Sequence, residues 1–192
     1  MSQNLIKRFF TSVVLLSLLF FVNFAHHNIF IVAILILGII ICIEANNLFS
    51  KLLFRNNFKK NLIFDKFNSK FLILNIVTFC YIFFIFCSIS YEIHRSEGPL
   101  FFLYIVSICF FTDIGGYVVG KIVGGKKLSN ISPNKTISGT IGSFLFSVFP
   151  LIIFLNINYL DFTINVINIL YCLMISLVSQ LGDLYVSFLK RK

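Results

Sequence analysis

A chain of 192 residues with 58% hydrophobic and only 12% charged residues, and a mean hydropathy of +0.97, falls far outside soluble domains, where about 25% of residues are charged. The net charge of +9 does not mark a nucleic-acid binder, because the Lys and Arg residues lie in short connections between apolar runs. The many Phe, Ile and Asn residues and the absence of Trp follow from an AT-rich codon bias and carry no functional signal.

Runs of about 18 or more apolar residues are membrane spans. Six such segments follow one another, at about 9–25, 29–45, 71–91, 99–120, 139–157 and 163–186. The predicted fold is an all-α polytopic membrane protein. The first segment follows Lys7-Arg8 and precedes Ala25, the outline of a signal peptide. Its apolar part is long for that role and its exit lacks a small-x-small cleavage site, so it reads as a retained span.

Basic residues cluster before the first span (Lys7, Arg8), after the second (Lys51 to Lys70), after the fourth (Lys121, Lys126, Lys127, Lys135) and after the sixth (Lys190 to Lys192). Arg95 stands alone on the opposite side. The positive-inside rule then predicts that both termini are cytoplasmic. Two regions are expected. Residues 1–98 hold three spans and a basic loop, 46–70, which reads as solvated and held to anionic lipid. Residues 99–192 hold three spans and the polar stretches.

The five cysteines all fall within apolar runs without C-x-x-C spacing, and such buried thiols behave as small hydrophobes. His26 and His27 are placed in one short connection and His94 in another, with no further zinc ligands nearby in sequence. Glu44 is the acid at a span end among the first three spans.

The fourth span carries Asp113, roughly 20 Å from its outer end and so in the cytoplasmic half. The sixth carries Asp183 near its cytoplasmic end. A carboxylate near the middle of a span costs about 2.5–3.5 kcal/mol to insert, so the default reading of such an acid is a site. Residues 115–122 nearly spell a P-loop, but the position after Lys121 is Ile122 rather than Ser or Thr, and no strand precedes it. Gly116, Gly120 and Gly124 are four apart, the small-xxx-small pattern of closely packed membrane helices.

Ser132-Pro133-Asn134-Lys135-Thr136 precedes the fifth span. It reads either as an anion site, with Lys135 beside the free amides and positive dipole end of a helix, or as a turn with a topology-marking lysine. Asp183 and Ser187 share a helix face, and Lys190 and Arg191 follow a turn later. A carboxylate beside hydroxyl and cationic groups suits a metal-bound phosphate. Snorkelling basic residues at a helix end account for Lys190 and Arg191 but leave Asp183 without a role.

In order and spacing, Asp113-Ile-Gly-Gly-Tyr117, Ser132-Pro-Asn-Lys-Thr136, Gly182-Asp-Leu184 and Ser187-Phe-Leu-Lys-Arg191 resemble the motifs of the CDP-diacylglycerol synthase (phosphatidate cytidylyltransferase) family over roughly residues 99–192. Ser138 and Val186 stand where that family often has Glu. The family signature also continues into a Lys-Asp pair and a Gly-His-Gly-Gly stretch with further acids, which would fall beyond Lys192. The chain is therefore expected to be incomplete at this end, and weakly active or inactive alone.

The resemblance implies cytidylyl transfer from CTP to phosphatidate, with Mg²⁺ as cofactor, on the cytoplasmic face of a bacterial inner membrane. It implies Asp183 as a metal ligand and Asp113 as a second ligand or its orienter. Lys135, Ser132 and Thr136 would hold phosphate oxygens. Ser179, Ser187, Lys190 and Arg191 would hold substrate, the last two a lipid or nucleotide phosphate. The expected partners are CTP, phosphatidate and membrane lipid, with a homodimer left open. Two alternatives stand beside this reading: a CTP-dependent polyprenol or phytol kinase, and a non-catalytic membrane partner.

Overall fold

A computed structural model describes residues 3–54, 69–128, 132, 135–155 and 164–191. Among them the chain is helical, apart from turns and one antiparallel bridge between Lys127 and Thr136. In order the helices are α1 (Gln3–Phe24), α2 (His27–Phe54), α3 (Ser69–Cys80), a π-helical stretch (Tyr81–Cys87), α4 (Ser88–Ser96), α5 (Gly98–Ile122), α6 (Ile137–Ser147), α7 (Phe149–Phe154) and α8 (Val166–Arg191).

Five helical stretches are long and apolar enough to cross a membrane: His27–Lys51, Phe71–Ser96, Gly98–Ile122, Ile137–Phe154 and Val166–Lys190. The remaining expected span, 9–25, falls within α1, whose described apolar part, Val13–Phe24, is shorter. Most large apolar side chains on these helices are exposed, among them Ile36, Ile73, Phe84, Ile152 and Val178. Apolar side chains pointing outward are what lipid, and not water, stabilises. The protein is an all-α polytopic membrane protein.

Two spans depart from regular helix for identifiable reasons. Phe71–Ser96 passes through the π-helical stretch, after which the Ser88 hydroxyl donates to the Phe83 carbonyl at 3.2 Å, five residues back. The span expected at 139–157 is broken into α6 and α7, with Pro150 in the first turn of α7, because proline has no N–H to continue the ladder.

The chain divides into two compact units, Met1–Phe102 and Leu103–Lys192, with the division inside α5. In the first unit Phe30, Ile34, Ile82 and Cys87 form the core. Gly38 lies against Ile82 and Cys87, where a Cβ would meet the Cys87 Sγ at 3.1 Å. His94, expected in a connection, sits within α4 and is buried. Its ring stacks on Phe30 at 3.7 Å between centroids, and its Nε2 lies 3.0 Å from the Asn23 carbonyl. The Asn23 side-chain amide donates to the Pro99 carbonyl at 2.8 Å. That contact engages one ring nitrogen, while Nδ1 is buried without a hydrogen-bond partner among the described residues, a cost that the stacking on Phe30 offsets in part.

In the second unit the interior is partly polar. Tyr104, Ile108, Leu151, Phe154 and Cys172 are buried with Thr112, Ser143, Ser147 and Ser176. The Tyr104 hydroxyl and Cys172 Sγ are 3.1 Å apart. Thr112 donates to the Ile108 carbonyl and Ser147 to the Phe144 carbonyl within their own helices, so these hydroxyls are hydrogen-bonded without a water.

Candidate active site

The close approach of α5 and α6 is written in small residues. A Cβ on Gly115 would meet the Phe146 Cβ and the Gly142 carbonyl, and one on Gly139 would meet the Gly116 carbonyl at 2.8 Å. A Cβ on Gly120 would meet the Thr136 Oγ1 at 2.9 Å. Of the three glycines singled out by spacing, Gly116 and Gly120 belong to this contact. Gly124 does not: it has open space around it and φ of +63°, and Gly125 follows at +111°. These two end α5 by turning the chain in the left-handed region, which glycine adopts without steric cost. The small-residue seam is instead completed from α6 by Gly139 and Gly142.

Past that turn the chain folds back on itself. The Ile137 N–H donates to the Lys126 carbonyl at 3.0 Å, and the Leu128 N–H to the Lys135 carbonyl at 2.8 Å. The Lys135 N–H donates to the carbonyl of buried Ser132 at 3.1 Å. The Ser138 hydroxyl donates to the Gly124 carbonyl. Both backbone polar groups of Lys135 are thus engaged, which fixes where its side chain starts.

Thr136 is the N-cap of α6. Its extended backbone (φ −108°, ψ 157°) lets its Oγ1 accept the Gly139 N–H at 3.1 Å, the usual use of threonine at this position. Two of the amides at this helix end are engaged: that of Gly139 is capped by Thr136 and that of Ile137 is held by the Lys126 carbonyl, and the Lys135 ammonium adds a positive charge beside them.

A cavity of about 240 Å³ opens beside this cap. Helix α5 lines it with Asp113, Gly116 and Tyr117. The loop and α6 add Lys135, Thr136, Gly139, Thr140 and Ser143, and α8 adds Gln180 and Asp183. The Lys135 Nζ lies 2.9 Å from the Asp183 Oδ2, and both side chains remain open to solvent, at 29% and 54% exposure. The Gln180 amide donates to the buried Ser176 hydroxyl at 3.2 Å. At the rim the Lys121 ammonium lies 5.5 Å from the Tyr117 ring centroid and 3.4 Å from its hydroxyl.

Of the residues singled out in the sequence, Asp113, Lys135, Thr136 and Asp183 meet in this cavity. Ser132, Ser179, Ser187 and Lys190 are not among its walls; Ser132 is buried and its carbonyl accepts the Lys135 N–H, Ser179 and Ser187 are half-buried on α8, and Lys190 is exposed at its end. The side chain of Arg191 and residues Pro133 and Asn134 lie outside the described residues. The cavity also takes in Tyr117, which ends the first motif without an assigned role, and Thr140, Ser143 and Gln180, which the sequence alone does not single out. The available signal was helical spacing, because Tyr117 is four residues after Asp113 and Gln180 three before Asp183, both on the faces of the acids.

Two carboxylates, one ammonium and several hydroxyls around one opening can hold a phosphate together with a divalent cation. Among the described residues no group of three or more His, Cys, Asp or Glu side chains is poised for a metal. That donor set fits Mg²⁺, which takes one or two carboxylates and fills its shell with water and substrate phosphates. It does not fit a zinc site, which needs three or four nitrogen, sulfur or carboxylate ligands from the protein.

Residues 9–192 match the model of the cytidylyltransferase family. The chain is 45% identical over 100 residues to a phosphatidate cytidylyltransferase of Staphylococcus aureus, and 39% identical over 99 residues to that of Staphylococcus haemolyticus. A Staphylococcus epidermidis protein of the same name is 39% identical over 100 residues. Each of these alignments takes in 50% of this chain and 37% of the relative. No solved structure matches the chain. The family match extends through both units, and on that ground the chain belongs to the cytidylyltransferase family.

Proposed function

We propose that this protein transfers the cytidylyl group of CTP to phosphatidate, giving CDP-diacylglycerol and pyrophosphate at the cytoplasmic face of a bacterial cell membrane. The observation that carries the reading is the convergence of Asp113, Lys135 and Asp183 on one cavity, in a chain of this family whose relatives bear that name. A phosphate oxygen of phosphatidate attacks the α-phosphorus of CTP, the bond to the β-phosphate breaks, and pyrophosphate leaves with the electron pair.

The work of the protein is to hold two polyanions together and to stabilise the charge that develops between them. Lys135, held by its backbone at the cavity mouth, serves as a point charge for a phosphate oxygen. Asp183 and Asp113 hold Mg²⁺, which when bound neutralises phosphate charge. Thr136 keeps α6, and with it the neighbouring lysine, in place. Lys190 and Arg191 at the end of α8 hold a lipid phosphate at the interface, and the excess of basic residues in the connections supports a cytoplasmic active face.

The test is a reaction of the membrane-reconstituted protein with radiolabelled CTP, Mg²⁺ and phosphatidate. CDP-diacylglycerol together with pyrophosphate, even at low turnover, is the product that supports this reading. A phosphorylated lipid alcohol with CDP as co-product would identify a lipid kinase instead, and CTP binding without any lipid product would favour a non-catalytic partner.

A further inference from the structure

We propose that the Lys135–Asp183 ion pair is the resting form of a joint site for a divalent cation and a phosphate, which admits each ligand tightly only with the other. The inference rests on the reading of the cavity as the nucleotide site and adds how that site is filled. The two groups that would meet opposite ligands meet each other at 2.9 Å. Asp113, the other carboxylate of the cavity, lines the same opening.

A cation arriving alone finds two carboxylates, but it must separate Asp183 from Lys135 and then sit beside an ammonium. A phosphate arriving alone finds one ammonium, but it must take Lys135 from Asp183 and then face two carboxylates. When both arrive, the phosphate takes Lys135, the cation takes the carboxylates, and the ligands pair with each other. The cation then lies between the phosphate and the carboxylates, and the phosphate between the cation and the ammonium, so each like-charge pair is bridged by an opposite charge.

Two further observations favour this exchange. The pair is open to water on both sides, and ion pairs so exposed are weakly held, so it yields to a ligand that offers both charges. The described residues also bring no third carboxylate, histidine or cysteine to the two acids, so a phosphate oxygen offers the cation a ligand that these side chains do not. Coupling of this kind is reciprocal, so each ligand raises affinity for the other by the same factor.

Because nucleotide and cation also chelate one another in water, measurements with one ligand at a time decide the matter. With the full chain in lipid nanodiscs, Mn²⁺ binding is followed by loss of its free electron-resonance signal, and CTP binding in EDTA by equilibrium dialysis. Lys135→Met is expected to bind Mn²⁺ alone several-fold more tightly than the unsubstituted chain, with Lys135→Arg unchanged. Asp183→Asn is expected to bind CTP in EDTA several-fold more tightly while losing Mn²⁺ affinity. Equal or weaker Mn²⁺ binding by Lys135→Met, or equal or weaker CTP binding in EDTA by Asp183→Asn, overturns the joint site and leaves the proposed reaction standing. Failure of the unsubstituted chain to bind CTP with Mn²⁺ present overturns both.

Discussion

The Lys135 ammonium meets the Asp183 carboxylate at 2.9 Å across 48 positions of sequence. One partner comes from the loop before α6 and the other from α8. Asp113 joins them from α5. Each residue is on a different element, so the cavity exists only when α5, α6 and α8 are packed, and its chemistry depends on that packing.

Asp183→Asn is expected to abolish whatever CTP-dependent formation of CDP-diacylglycerol the unsubstituted chain supports, while leaving insertion and folding intact. The carboxylate is half-exposed, and an exposed ion pair contributes only about 0–1 kcal/mol to stability. Turnover of reconstituted protein and thermal unfolding in detergent check the two halves separately. Unchanged turnover would remove Asp183 from the site.

Ala at Gly139 or Gly142 should loosen the second unit. Helix propensity favours alanine by about 1 kcal/mol, but at either position the new Cβ would run into backbone carbonyls of α5. Overpacking of a tight contact costs about 1–3 kcal/mol, so the net effect is a lower unfolding temperature. Gly182 is the internal control: it lies beside Asp183 but has nothing near it, and Gly182→Ala is expected to be neutral or slightly stabilising.

Thr136→Ala removes the oxygen that accepts the Gly139 N–H. The expected loss is about 1 kcal/mol, read as a small drop in unfolding temperature, and Thr136→Ser should restore it. A larger fall in turnover than in stability would mean that the cap also serves to place Lys135.

Reporter fusions test the orientation drawn from the basic residues. A fusion after Lys127 should read cytoplasmic and one at Arg95 external. A cytoplasmic reading at Arg95 would reverse the assigned faces and with them the side from which a nucleotide reaches the cavity.

Much of the helical architecture was legible because an apolar run of span length has few alternatives in a bilayer, where every backbone group must be paired internally. The same reasoning could not see inside a span. Pro150 divides the fifth into α6 and α7, and the π-helical stretch Tyr81–Cys87 interrupts another; hydropathy averages over both. His94 was assigned to a connection because it is polar, yet its ring is buried against Phe30 and bonded to the Asn23 carbonyl. A long-range partner in α1 is invisible to a local reading.

By itself the sequence determined the membrane class and five of the six expected spans, and it pointed to the acids worth attention, since each rests on local quantities: run length, charge and the cost of a carboxylate in lipid. Tertiary structure alone decided which polar residues share a cavity. It selected Gln180 over its neighbour Ser179, set Gly124 apart from Gly116 and Gly120, and gave the Gly139 and Ile137 amides to Thr136 and Lys126. The physical reason is that a helix fixes the angle between its own residues, while which face meets a neighbour is settled by the fit of small residues along the seam between helices.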